Sequence, residues 1–374
     1  MQDFLERECQ EWRISEAPSP VAWDERLIIG GGFDSDAAGR SVSTKPRVLL
    51  VGLSHDPDLA HLATRISEQG ALVEVLLVDR IAHQPAAFHP ARECAREYDI
   101  GYCRAIRPSD GIHFHYDRTV RRSADWTAVD ACLARHAAAQ AETLLWHWLH
   151  QTTVARWINS PSSLRAAENK LIQLTEAERV GLTVPPTLTT TSLSELRGFE
   201  TASPFGVVHK SLTSPVVTTD QDGAAFLYTT PIEVGEICDI GFPCLFQHRL
   251  IPRAEIRTTV VGQRIFSASL PRWNDHTPDW RRRADDHSGF AHHQLPEELT
   301  HRIRKLMRIL DIEIGAVDLI KTVDLIALWR SSVATSWRRR TNRAFWPEEL
   351  ERVGDSRVRG GVCVGFVRVR MLRR

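Results

Sequence analysis

Between Arg47 and Asp79 the apolar positions change period twice. RVLLVGLS (47–54) is a short continuous apolar run, the pattern of a buried strand. Leu59, Leu62, Ala63 and Ile66 then recur three to four apart, which predicts a helix, and VEVLLVD (73–79) is a second strand-like run. Strand, helix and strand within about thirty residues predict a βαβ unit with parallel strands. The turn after the first strand holds only Gly52, so a GxGxxG dinucleotide fingerprint is absent and the unit reads as an α/β core. Residues 124–158 carry Leu133, Leu144, Leu145, Trp148 and Leu149 in a helical pattern leading to RWINSP (156–161). Trp146 and Trp148 read there as core rather than as a stacking platform. A second helix is predicted from Leu164, Ala167, Leu171, Leu174 and Val180, with Gly181 where a helix stop belongs and Val184-Pro185-Pro186 opening an extended segment.

The pattern then turns to strands. FGVVHKSL (205–212) and PCLFQHRL (243–250) are two, and EIRTTVVGQRIFSASL (255–270) reads as a hairpin turning at Gly262-Gln263, a Gly-first two-residue turn. Leu299, Ile303, Leu306, Met307 and Leu310 predict another helix, and IEIGAVDLIKT (312–322) is a nearly continuous apolar strand interrupted by Asp318. No internal repeat is evident.

Length and composition bound these elements. A chain of 374 residues implies two or three domains, because single cores stop growing near ~250–300 residues. A hydrophobic content of 43% with 25% charged residues is that of a soluble globular protein. No apolar run approaches the ~20 residues that span a bilayer, and the acidic MQDFLERECQEWR start lacks the pattern of a secretory signal. The cysteines are scattered without a CxxC pair, which points to reduced thiols in a cytoplasmic protein rather than a zinc site or a disulfide framework. His113 with His115, and His292 with His293, have no carboxylate or cysteine at metal spacing and read as surface histidines. No Ser-His-Asp set or nucleophile elbow is visible. The formal net charge of +0 hides a split: from Leu325 to Arg374 there are twelve Arg and no Lys against four acids, so the rest of the chain is acidic. Neither a membrane nor a nucleic acid is expected as a partner.

The segment WINSPSSLRAAENKLIQLTEAERVGLTVPPTLTTTS resembles the start of the ATP-grasp region in microviridin-type (graspetide) peptide maturases. That pattern is an Asn-Ser-Pro, a helix carrying Asn-Lys, then Gly-Leu-x-Val-Pro-x-Thr. The resemblance continues in order through VVHKSL, PCLFQHRLIPRAEIRTTVVGQRIFSASL and GAVDLIKT, covering roughly residues 45–323. It implies an α/β chain with an ATP-grasp fold behind an N-terminal βαβ domain. The expected divisions are an extension with a Gly30-Gly31-Gly32 linker over 1–45, an α/β domain over 46–155, an ATP-grasp domain over 156–323 and an atypical Arg-rich tail over 324–374. It also implies the chemistry: a carboxylate is phosphorylated by ATP with Mg²⁺ present, and a hydroxyl or amine displaces the phosphate to make an ester or amide cross-link in a precursor peptide. A catalytically impaired ATP- or peptide-binding homologue and a glutathione-synthetase-like ligase of small molecules are the alternatives, and a homodimer is left open.

The resemblance gives roles to particular residues. Lys170 and Lys210 would contact ATP, Lys210 because a lysine ending an apolar strand needs an anion or must snorkel. Where the family often reads Val-Val-Lys-Pro, this chain has His209 before Lys210 and Ser211 after it, and the following loop holds only Gly223. Gln247 and His248 would meet the adenosine on the hinge strand, and Arg257 would offer its planar fork to phosphate or acyl-phosphate oxygens, a salt bridge with Glu255 being the bland alternative. Arg281, in Asp279-Trp280-Arg281, would hold the substrate carboxylate unless the Arg281–Arg283 run is simply solvated. Asp318, an aspartate inside an apolar strand, would bind Mg²⁺.

About a dozen residues further on, the family carries Glu-x-Asn, which completes the magnesium sites. Here the stretch reads VDLIALWRSSVATSWRRRTNRAFWPEELERVG, with no Glu-x-Asn, and Arg330 falls near the expected place. The composition changes at the point where the resemblance stops, as translation in another reading frame would produce. Residues from about 324 are therefore expected to be frame-shifted or replaced, which sequencing the coding DNA decides. A solvated tail and a strand-forming tail that meets an acidic partner are the other readings.

Overall fold

A computed structural model of the protein describes residues 45–54, 56–81, 97–106, 127–212, 216–218, 224–226, 229–271, 290–323, 326–332, 361–364 and 367–370. The chain divides into two compact units between Pro161 and Ser162.

The first unit holds β1 (Arg47–Gly52), α1 (Pro57–Glu68), β2 (Leu72–Leu77), β3 (Glu97–Cys103), α2 (Thr127–Gln151) and β4 (Thr153–Ile158). Its four strands form one sheet in the order β2-β1-β3-β4, with every pair parallel. The βαβ unit is β1-α1-β2, as the periodicity predicts. Asp56 starts α1 by accepting hydrogen bonds from the Asp58 and Leu59 amides, and Pro57 sits in the first turn, where its missing N–H costs nothing. Arg104, just past β3, pairs with Asp56 and with Asp58, at 3.1 Å from the latter, and so ties the start of α1 to the end of the neighbouring strand. Burial would lower the Arg104 pKa, but Tyr102 and these carboxylates outweigh it and raise it, so the guanidinium stays charged.

In this unit β3 and β4 escape the sequence reading. A single residue, Thr152, separates α2 from β4, so apolar positions counted across 124–158 merge a helix with a strand. On α2 the buried side is Ala141, Leu145, Trp148 and Leu149, at helical spacing. β3 also fits tightly against β4: a Cβ on Gly101 would lie 2.6 Å from the Trp157 ring.

The second unit contains α3 (Pro161–Ala167), α4 (Lys170–Arg179), β5 (Thr187–Thr190), α5 (Leu193–Thr201), β6 (Val207–Lys210), β7 (Val216–Thr218), β8 (Ala224–Phe226), β9 (Thr230–Ile232), β10 (Cys244–His248), β11 (Ala254–Val261), β12 (Arg264–Pro271), β13 (Ala291–His292), α6 (Glu297–Ile309), β14 (Ile314–Lys321) and β15 (Ile326–Ser332). It has two antiparallel sheets, β5-β10-β6-β9 and β13-β12-β11-β14-β15, with a separate β7-β8 pair. Further along, β16 (Gly361–Val364) pairs with β17 (Val367–Arg370).

The hairpin turns at Gly262, whose φ of 58° suits the first position of a primed turn. The single helix expected over Leu164–Val180 is two. The chain breaks at Asn169, whose side chain caps α4 by accepting from the Leu171 and Ile172 amides. This rotates the buried face of α4 onto Gln173 and Ala177, leaving Leu171 exposed. Gly181 (φ 84°) closes the helix as expected: Leu182 N–H donates to the Ala177 carbonyl and Gly181 N–H to that of Glu178. The five-stranded sheet also runs past the boundary expected at 323, since β15 pairs along β14.

Leu196, Val207, Ile232, Val234, Ile237, Ile240, Cys244 and Phe246 form a buried core on one side of the first sheet. Burial pushes the Cys244 thiol up to about 11. Among the described residues, iodoacetamide at mildly alkaline pH is therefore expected to label exposed Cys238 and spare buried Cys103 and Cys244. Peptide mapping by mass spectrometry checks this, and labelling of Cys244 in the native protein would contradict the core placement. No helix among the described residues is long and apolar enough to cross a membrane.

Candidate functional site

Side chains alternate along a strand and match across an antiparallel pair, so one contact fixes which sides of two sheets face each other. That contact is Val208 of β6 against Ile320 of β14, with Leu250 beside them. On β6, Lys210 lies on the same side as Val208. On β10, Leu245 and Gln247 stand opposite Lys210 and Val208, so Gln247 shares that side. On β14, Asp318 is two residues before Ile320. On β11, Glu255 and Arg257 stand opposite Ile320 and Asp318. Lys210, Gln247, Glu255, Arg257 and Asp318 therefore lie on the facing sides of the two sheets. Glu255, only 5% exposed, enters the sequence reading only as a bland partner for Arg257. The signal was an acid two positions before an arginine on an alternating strand.

Arg257 and Asp318 are joined directly. The Arg257 Nη1 donates to both Asp318 carboxylate oxygens, at 2.6 and 2.8 Å. Both side chains are mostly buried, so the arginine's partner is Asp318 and not a surface Glu255. Gln247 is 1% exposed. Its amide N–H donates to Thr187 Oγ1 at 2.8 Å, and its Oε1 is buried without a hydrogen-bond partner. A buried acceptor left this way is costly unless a donor arrives. Lys170 begins α4 and donates to the backbone carbonyl of Ser211, the residue after Lys210, so the two lysines meet at one end of β6.

His248 is placed elsewhere. It pairs with Val207 across the sheet and shares the side of Phe246; its ring centroid lies 4.3 Å from that of Phe199 on α5, and its Nε2 lies 3.1 Å from the Phe199 carbonyl. The physical reason is the two-residue period, which sends Gln247 and His248 to opposite sides of β10. Arg281 lies outside the described residues, as do His113 and His115.

His209, one residue from Lys210, likewise turns to the core side, with its ring 5.9 Å from Phe246. Burial, and then the charge of Lys170, lower its pKa to about 4. An unfolded histidine titrates near ~6.5, so between about pH 6.5 and 4 the unfolded chain binds a proton that the native state refuses. This contribution is whole above about pH 6.5, is lost as pH falls through the folded value, and amounts to about 3 kcal/mol. His209→Phe is expected to remove that acid slope, read as the difference between urea midpoints at neutral and acid pH. An unchanged slope would sink this assignment.

Magnesium takes near-octahedral oxygen ligation, usually with one or two carboxylates. Asp318 gives both its oxygens to Arg257, and Arg330 holds the register position opposite Asp318 on β15, with an irregularity in the ladder between Asp318 and Leu319. No group of three or more His, Cys, Asp or Glu side chains gathers among the described residues. This donor set does not fit the metal role that the resemblance gives Asp318. Nucleotide phosphates fit better, since Lys210 and Arg257 come from separate sheets, and Gln247 Oε1 could take an amino donor such as that of a purine base.

No family model matches the chain, and no curated protein matches it by sequence. Solved structures do. The macrocyclase MdnC of Microcystis aeruginosa, bound with precursor peptide MdnA, is 18% identical with a TM-score of 0.63, over 80% of this chain and 96% of that one. A RiPP-associated ATP-grasp ligase of Chryseobacterium gregarium, in complex with ADP and a leader and core peptide, is 17% identical with a TM-score of 0.60, over 78% and 90%. The macrocyclase MdnB of Microcystis aeruginosa is 21% identical with a TM-score of 0.58, over 77% and 92%. Two antiparallel sheets with cationic and polar residues on their facing sides, in a unit that follows a parallel α/β unit in the sequence, together with these likenesses, establish that the chain has the ATP-grasp fold.

Proposed function

We propose that this chain is a cytoplasmic ATP-grasp ligase that binds ATP between its two antiparallel sheets and activates a carboxylate of a ribosomally made precursor peptide. The observation that carries this reading is the placement of Lys210, Gln247 and Arg257 on facing sides of the two sheets. Phosphoryl transfer asks mainly for positioning and charge stabilisation. ATP supplies the phosphoryl group: an oxygen of the peptide carboxylate bonds to the γ-phosphorus as the bond to ADP breaks. A hydroxyl or amine of the same peptide then bonds to the acyl carbon, phosphate leaves, and the nucleophile's proton is lost. Lys210 neutralises phosphate oxygens from one sheet, and Arg257 presents its fork from the other. Gln247 orients the base through its unsatisfied Oε1. Lys170, anchored on Ser211, adds charge at the end of β6.

The likeness to MdnC with its precursor peptide and to the Chryseobacterium ligase with ADP supports this substrate class. The test incubates the full chain with ATP, magnesium and a candidate precursor peptide, and reads the peptide by mass spectrometry. Loss of one water per cross-link is the expected result. A second reading, a nucleotide- and peptide-binding homologue without turnover, is favoured by the Arg257–Asp318 pair and by Arg330 at the position opposite. Unmodified peptide together with retained ATP binding would select it.

A further inference from the structure

We propose that this chain binds nucleotide phosphates without a divalent cation held by the protein, the Asp318 carboxylate that would ligate one being paired with Arg257 instead. The inference rests on the nucleotide reading above and departs from it in one respect, the role of magnesium. Three observations carry it. Both oxygens of the Asp318 carboxylate are engaged by one guanidinium nitrogen, at 2.6 and 2.8 Å. The residue opposite Asp318 on β11 is Arg257, and the residue opposite it on β15 is Arg330, so both neighbouring strands bring an arginine to that register position. No cluster of three or more metal-ligating side chains lies among the described residues.

Magnesium dehydrates reluctantly and needs well-placed oxygens to hold it. To bind Asp318 it would have to share the carboxylate with the guanidinium, setting two cations against one mostly buried acid and weakening the hold on Arg257. It would also add charge beside Lys210 and Arg257, against Asp318 and Glu255 as the acids on these facing sides among the described residues. A phosphate is bound at lower cost: its oxygens can share the donors of Arg257, whose remaining N–H groups lie outside the ion pair. A cation arriving with the nucleotide is then carried by the phosphates themselves.

The experiment measures ADP binding to the full chain by titration calorimetry, in magnesium chloride and in EDTA. Affinities within about twofold of each other are expected, whereas a protein-held ion would make ADP bind at least about tenfold more tightly with magnesium. That tenfold dependence overturns the inference and leaves the nucleotide reading standing. Absence of binding in both buffers overturns the two together. Arg330→Glu supplies the converse: with a second acid at the register position opposite Asp318, magnesium is expected to strengthen ADP binding about tenfold. A folded Arg330→Glu protein that stays indifferent to magnesium counts against a metal-replacing role for this residue. Should the variant fail to fold, the wild-type comparison still decides.

Discussion

Phe246→Ala is expected to destabilise the second unit by about 3–5 kcal/mol, the range for emptying a large aromatic site in a packed core. Phe246 is fully buried, at 0% exposure, in the centre of β10. Its ring meets Leu196 of α5, Val207 of β6 and the Ile232–Ile240 segment, and His209 lies against it. These neighbours sit on three different elements and cannot all move inward together, so the cavity stays open and its cost adds to the lost transfer energy. The effect reaches the site because β10 is one of the two inner strands of its four-stranded sheet. It holds β5 on one edge and β6 on the other, and thereby sets the positions of Gln247 and Lys210.

Phe246→Leu keeps most of the volume and is expected to cost about 1 kcal/mol. A chain of two compact units need not unfold in one step, so the measurement is peptide-resolved hydrogen exchange over β6 and β10 across a urea series. A loss below about 1 kcal/mol for Phe246→Ala would mean that this ring does not organise the sheet.

The parts of the fold legible in the sequence were those whose apolar pattern had one period and a clear boundary. β1, α1 and β2 were such a case, as were the hairpin at Gly262 and α6. β4 was not, because only Thr152 stands between it and α2 and no turn residue marks the change. The break between α3 and α4 was missed because Asn169 reads equally as a helix residue and as a cap; its side chain's bonds to the next two amides settle the matter only in three dimensions.

The candidate site was legible as a set of residue types and not as an arrangement. Lys210 and Asp318 each stood out as a charge on an apolar strand, and Arg257 by an acid-x-Arg pattern that resembles the family's; the first signal survives folding because burial forces such groups toward partners. What a single strand cannot tell is which partner. Asp318 looked like a metal ligand because an isolated carboxylate in an apolar run needs a cation, and the cation across the ladder is Arg257, sixty-one residues earlier. For His248 the resemblance named a hinge strand that meets the adenosine but not a side of it, and the pleat separates His248 from Gln247 onto opposite sides. Position 330, by contrast, was flagged by its place near the missing Glu-x-Asn and by its opposite charge, and the register puts it opposite Asp318.

Arg257→Ala is expected to cost about 3 kcal/mol of stability in the nucleotide-free protein, and Asp318→Ala a similar amount. Each single change leaves the other charge in a mostly enclosed position without its partner, the side chains being only 16% and 12% exposed. The cost measures that abandonment and not the worth of the pair. Bringing two ions out of water takes back much of their attraction, so the double replacement Arg257→Met with Asp318→Leu is expected to fall within about 1 kcal/mol of the native protein. The cycle closed with the single Arg257→Met and Asp318→Leu variants, each expected to cost about 3 kcal/mol, should give a coupling energy of about 5 kcal/mol, far above the value for an exposed pair. Stability and binding then separate: the Met/Leu protein folds but has lost the Arg257 donors, and its affinity for ADP should fall at least about tenfold, as expected for losing a charge-assisted contact. Urea denaturation of the four proteins, followed by calorimetry on those that fold, reads both quantities. Single variants no less stable than the double would show that Arg257 and Asp318 are not coupled. A Met/Leu protein that binds ADP as tightly as wild type would remove Arg257 from the phosphate site, leaving its pairing with Asp318 as the only role supported for it.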